Sequence, residues 1–107
     1  MKRVLFDHCV PKPLRRPLTG FQIRTCYEEG WDALRNGELL AAAEAAGFDV
    51  FITADQNLRY QQNFNARQIP VIELPQNRLA ILLRLVPAIQ HAIESIAPGG
   101  YIQIPMP

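Results

Sequence analysis

Two aspartates each follow a short apolar run: Asp7 ends Val4-Leu5-Phe6, and Asp55 comes just after Val50-Phe51-Ile52-Thr53-Ala54. Such runs read as buried strands, which places both acids at strand carboxyl ends. Carboxylates held side by side repel and lose solvation, and a hard divalent cation offsets that cost. Mg²⁺ takes one or two carboxylates and completes its shell with water and phosphate oxygens. Held in that way it activates water and neutralises charge on a phosphodiester, so the chemistry implied is metal-assisted hydrolysis. Glu38, in the first turn of an expected helix, is a third candidate ligand, with Asn36 or Asn57 as neutral partners. Each acid also has a purely structural explanation. Asp7 and Asp55 can close turns through their side-chain oxygens, and the helix dipole alone favours Glu38 where it stands.

Other residues with chemical potential surround these acids in sequence. His8 is a candidate general base or ligand, although imidazole suits transition metals better than Mg²⁺. The spacing of His8, Cys9, Cys26 and His91 fits no zinc motif, so a structural zinc is not expected. Cys9 and Cys26 read as free thiols of a reducing compartment. Lys12, Arg15 and Arg16 follow the first acid and form a candidate phosphate-contacting patch. Arg59, Gln62 and Arg67 form a second candidate patch, and as a group these residues favour a single-stranded nucleic acid. Each taken singly also reads as solvated surface. Trp31 and Tyr60 offer stacking faces, with Trp31 better explained as a packing anchor.

The elements that must position these residues follow from periodicity and punctuation. Strands are expected over Arg3–Phe6, Phe21–Cys26, Asp49–Thr53 and 68–74, with an additional C-terminal edge strand over Tyr101–Ile104. Proline breaks the chain at Val10-Pro11-Lys12-Pro13, and a short helical turn is expected over Leu14–Leu18. Asn36 is expected to cap a helix over Glu38–Ala46 that Gly47 ends. A polar helix is expected over Asn57–Asn65. Over Arg78–Ile96 the residues Leu79, Leu82, Leu83, Val86, Ile89, Ile93 and Ile96 share one face, and Pro87 should kink or split that helix. The face reads as core or as a dimer interface. Strands alternating with helices imply a mostly parallel α/β sheet covered on both faces, with right-handed crossovers. Ligands bind such sheets outside the strand carboxyl ends, where strand order reverses. Asp7 and Asp55 fall at that edge.

Composition bounds the remaining classes. A chain of 107 residues has room for one domain and one core. A net charge of +1 leaves any attraction to a polyanion to local patches. The apolar run after Lys2-Arg3 is too short for a secretory leader, and no stretch approaches a membrane span. A cytoplasmic location is therefore expected.

Three segments together carry a resemblance. Val4-Leu5-Phe6-Asp7, Gly30-Trp31-Asp32-Ala33-Leu34-Arg35-Asn36-Gly37-Glu38-Leu39-Leu40, and Thr53-Ala54-Asp55-Gln56-Asn57-Leu58 with Gln61-Gln62-Asn63 resemble the bacterial PIN-like proteins, in particular the small ones whose first strand reads LxDE. The resemblance covers roughly the first 75 residues in order and rests on the set rather than on one piece. It implies a single PIN-like domain over 1–107, a three-layer sandwich around a mostly parallel sheet of about four strands. It also implies a Mg²⁺- or Mn²⁺-dependent ribonuclease, with many relatives being toxins of toxin–antitoxin pairs and commonly dimers. Asp7 matches the first strand-end acid, Glu38 the helix-borne acid and Asp55 the acid of the Thr-x-Asp motif. Asn57 stands where a further carboxylate is often found, and His8 where related proteins often carry glutamate.

Two functions are consistent with these features. One is an endoribonuclease acting on single-stranded RNA, with an antitoxin protein as partner and a homodimer as its assembly. The other is a catalytically weakened or inactive RNA- or protein-binding module of the same fold, for which His8 and Asn57 speak. A phosphoacceptor receiver domain also clusters acids at strand ends, but it needs a lysine near its last strand. Every lysine here lies at or before Lys12.

Overall fold

In the computed structural model, residues 1–56 and 68–107 are described, the Asn36 side chain excepted. Five short runs form β1 (Arg3–Phe6), β2 (Gln22–Thr25), β3 (Val50–Thr53), β4 (Val71–Glu73) and β5 (Tyr101–Gln103). They pair as one sheet in the order β2-β1-β3-β4-β5, and every pairing is parallel. The sheet thus has five strands rather than about four, the C-terminal edge strand being its fifth.

The pleat sends alternate residues into two cores. Val4, Phe6, Val50, Ile52 and Ile72 pack with Leu14, Leu18, Leu82, Ile89 and Ile93 on one face. Leu5, Phe51 and Val71 pack with Leu39, Leu40, Ala43 and Phe48 on the other. Burial on both faces explains why the central strands read as continuous apolar runs rather than alternating ones. On the second face lies α1 (Asn36–Ala45). The first face carries a 3₁₀ helix (Lys12–Arg15), α2 (Leu79–Arg84) and α3 (Val86–Ser95).

Helix boundaries follow their local chemistry. α1 begins with Asn36, so Arg35 occupies the cap position and makes no side-chain cap bond, contrary to the expected Asn36 cap. At its other end Gly47 adopts φ +83°, and the amides of Gly47 and Phe48 reach back to the carbonyls of Glu44 and Ala43. This pair of bonds satisfies carbonyls that the helix end would orphan, and it needs a left-handed residue at Gly47. The expected long C-terminal helix is divided at Leu85, with Pro87 in the first turn of α3, where a missing N–H costs nothing. Leu83 departs from the expected apolar face and is 46% exposed.

α1 carries the chain rightward from β2 to β3 over one face, while α2 and α3 carry it rightward from β4 to β5 over the other. Those two crossovers therefore have opposite hands, so one of the two departs from the usual right-handed rule. Contact of α2 with the 3₁₀ helix accompanies that excursion. The expected helix over Asn57–Asn65 falls outside the described residues. Among the described residues, no helix is long and apolar enough to cross a membrane.

Candidate functional site

The order β2-β1-β3 places the reversal of strand order beside β1, between the strands that lead to Asp7 and Asp55. Register then fixes the neighbours. Phe6 pairs with Ile52, so Asp7 emerges alongside Thr53, and the Asp7 amide donates to the Ile52 carbonyl at 2.9 Å. Phe6 also pairs with Thr25 on β2, so Asp7 emerges alongside Cys26, whose amide donates to the Phe6 carbonyl at 3.1 Å.

A polar network holds the first acid. Thr53 is fully buried, and its Oγ1 donates to Asp7 Oδ2 at 2.7 Å while accepting the Asp55 amide at 3.0 Å. The His8 amide donates to Asp7 Oδ1 at 2.8 Å. The Ala54 amide donates to Cys9 Sγ at 3.3 Å, and that sulfur lies 3.8 Å from Asp7 Oδ2. Burial first, then the Asp7 charge, pushes the Cys9 thiol above its ordinary range. Cys9 therefore stays a neutral thiol beside the carboxylate. One hydroxyl thus links the Asp7 carboxylate to the Asp55 backbone, which gives the first position of the Thr-Ala-Asp run a structural reason for threonine. Thr53→Val would keep the shape but leave the Asp7 oxygen and the Asp55 amide short of a partner. The expected loss is about 1–3 kcal/mol in urea unfolding.

Asp7 and Asp55 line one cleft of about 360 Å³, together with His8, Cys9, Arg35 and Leu39. Their oxygens suit a hard divalent cation. Glu38 is exposed in the first turn of α1 and does not line this cleft, although Arg35 and Leu39 on either side of it do. Asn57 lies outside the described residues, as do Arg59, Tyr60, Gln62 and Arg67.

The basic patch after Asp7 is partly committed elsewhere. Arg15 Nη1 meets Glu28 Oε1 at 2.8 Å and Lys12 Nζ meets Glu28 Oε2 at 3.4 Å, which leaves Arg16 exposed on the same turn. The Arg15 hydrogen bond, followed by that of the Thr25 amide, holds the Glu28 carboxyl down at about 2 from an ordinary 4.5. A depressed folded-state value means the stabilisation is complete above pH 4.5 and disappears as the pH falls through about 2. Glu28→Gln is expected to flatten the acid limb of stability between those values, measured by urea unfolding across pH.

Several residues gain a place that their sequence positions did not suggest. Arg35 brings a cation to the rim of the acidic cleft, its guanidinium donating to the Asp32 and Leu34 carbonyls. Glu73 puts a third carboxylate at a strand carboxyl end, paired in register with Thr53. It is buried, accepts from the Tyr101 hydroxyl and from Gln103 Nε2, and does not line the cleft. Trp31 packs edge-on against Phe48 at 6.0 Å and 74°, which agrees with a packing anchor. Cys9 and Cys26 are both free, Cys26 fully buried. Asp7, His8 and Cys26 present donor atoms within 4.8 Å of one another, a grouping that linear spacing conceals because β2 supplies the cysteine. No family model, curated protein or solved structure matches this chain.

Proposed function

We propose that this chain is a metal-dependent endoribonuclease of PIN-like type, with Asp7 and Asp55 as its ligand pair and single-stranded RNA as its substrate. The observation that carries the reading is the shared cleft, lined by the two acids that follow β1 and β3 at the reversal of strand order. A bound Mg²⁺ or Mn²⁺ would supply an activated water and neutralise charge on the phosphodiester. The chain's own residues do the positioning. Thr53 fixes the Asp7 carboxylate through Oδ2, leaving that group aimed by its neighbours rather than by solvent. Arg35 and Arg16 are the exposed cations suited to the RNA backbone. Glu38, exposed between the cleft-lining Arg35 and Leu39, would join as a third ligand only when an ion draws it in. A role as the toxin of a toxin–antitoxin pair follows from the same reading.

One observation favours a second function. With Glu38 turned to solvent, the cleft offers two carboxylates, and a site with fewer anions holds its metal less tightly. A module that binds RNA without cutting it would have this form. Incubation of purified protein with single-stranded RNA in Mn²⁺ separates the two. Cleavage that EDTA abolishes supports the nuclease, whereas RNA retained intact in a gel shift supports the binding module.

A further inference from the structure

We propose that Asp7, His8 and Cys26 form a three-donor binding site for a borderline-soft divalent cation of the Zn²⁺ class, at the carboxyl edge of β1 and β2. One oxygen, one nitrogen and one sulfur donor lie within 4.8 Å of one another. Tetrahedral zinc, with bonds of about 2.0–2.3 Å, needs donor separations of roughly 3.3–3.8 Å. Closing from 4.8 Å to that range takes at most about 1–1.5 Å, shared among the three side chains, of which His8 is the exposed one. A set mixing thiolate, imidazole and carboxylate selects Zn²⁺ over Mg²⁺, which prefers oxygen alone.

The surroundings prepare each donor. His8 Nε2 lies 3.2 Å from the Leu34 carbonyl, and since a carbonyl only accepts, Nε2 carries the proton in that contact. The neutral ring then keeps its lone pair on Nδ1, the arrangement in which a carbonyl orients a ligating imidazole. Thr53 and the His8 amide hold the two Asp7 oxygens. Cys26 is fixed by the β1–β2 pairing and enters no other part of the proposed nuclease chemistry. His8 borders two clefts, one shared with Asp7 and Asp55 and one shared with Cys26. Binding would form a metal–sulfur bond and release the Cys26 proton to solvent, because a coordinated thiol is deprotonated outright. This site does not depend on ribonuclease activity, although it shares Asp7 with the pair assigned to Mg²⁺ or Mn²⁺.

The test is titration of reduced, full-length protein with Zn²⁺ against a chromogenic chelator, with Co²⁺ as a spectroscopic probe of sulfur ligation. One Zn²⁺ per chain is expected, with affinity lowered about 100-fold or more by His8→Ala. Co²⁺ should give thiolate charge-transfer absorption in the wild type and none in Cys26→Ser. Should Cys26→Ser fail to fold, exposed His8→Ala still decides the matter. Asp55→Asn should bind Zn²⁺ as the wild type does, which separates this site from the acidic pair. Absence of Zn²⁺ binding, binding unaffected by His8→Ala, Co²⁺ bound without a sulfur signature, or loss of Zn²⁺ in Asp55→Asn would each overturn the assignment.

Discussion

Asp7→Asn is expected to lower Mn²⁺-dependent RNA cleavage by about 100-fold or more, the scale on which losing a metal site's support is felt. Asparagine keeps the shape; its one amide oxygen can still accept from the His8 amide and its NH2 can donate to the Thr53 hydroxyl oxygen, so the fold should persist while the anion is lost. Glu38→Gln provides the contrast. Its side chain is exposed and outside the cleft lining, so its effect should stay below about tenfold unless the ion recruits it. Initial cleavage rates on one single-stranded RNA, with folding checked by circular dichroism, measure both. Equal losses in the two variants would mean that Glu38 joins the site on metal binding.

Phe51→Ala should cost about 3–5 kcal/mol in urea unfolding, the usual range for emptying an aromatic from a core. Phe51 is among the largest fully buried side chains and lies at the centre of β3, with β1 on one side and β4 on the other. It packs in the core beneath α1 with Leu5, Leu39, Leu40 and Val71. Rigid strands on both sides limit how far this core can collapse into the void. A domain of this size is marginal to begin with, so the variant should be largely unfolded at 37 °C. A loss under about 1 kcal/mol would mean that the core under α1 is loosely packed.

Much of this architecture is legible in the sequence because burial on both faces leaves continuous apolar runs. Val4-Leu5-Phe6 and Val50-Phe51-Ile52 declare themselves as inner strands, and the acids that end them declare the carboxyl edge. Tyr101–Gln103 alternates weakly, as an edge strand does, yet its register against Val71, Ile72 and Glu73 depends on the whole β4–β5 crossover. That the crossover lies on the same face as the 3₁₀ helix has no local signature at all. The α1 start lies two residues before the expected Glu38, with Arg35 rather than Asn36 at the cap position.

The candidate site divides along the same line. Asp7, Asp55 and the Thr53 between them follow from strand ends, which are local. Cys26 and Arg35 reach the site through pairing and helix placement, which are not. Cys26 is nineteen positions from Asp7 in the chain (26 minus 7), and only the register Phe6 with Thr25 makes them neighbours. Lys12 and Arg15 have a partner that chain proximity does not reveal. Their proximity to Asp7 suggested phosphate contacts, whereas Glu28, delivered by the turn after β2, engages both.

Thermal unfolding of wild type and Asp55→Asn, each with and without millimolar Mn²⁺, tests the acidic metal site most directly. An ion at about 100 times its dissociation constant stabilises the folded chain by about 2.7 kcal/mol, a rise of roughly 10 °C or more for a domain of this size. The account requires that rise in the wild type and its loss in Asp55→Asn. A wild type that Mn²⁺ leaves unshifted, or a mutant that Mn²⁺ shifts equally, would contradict it.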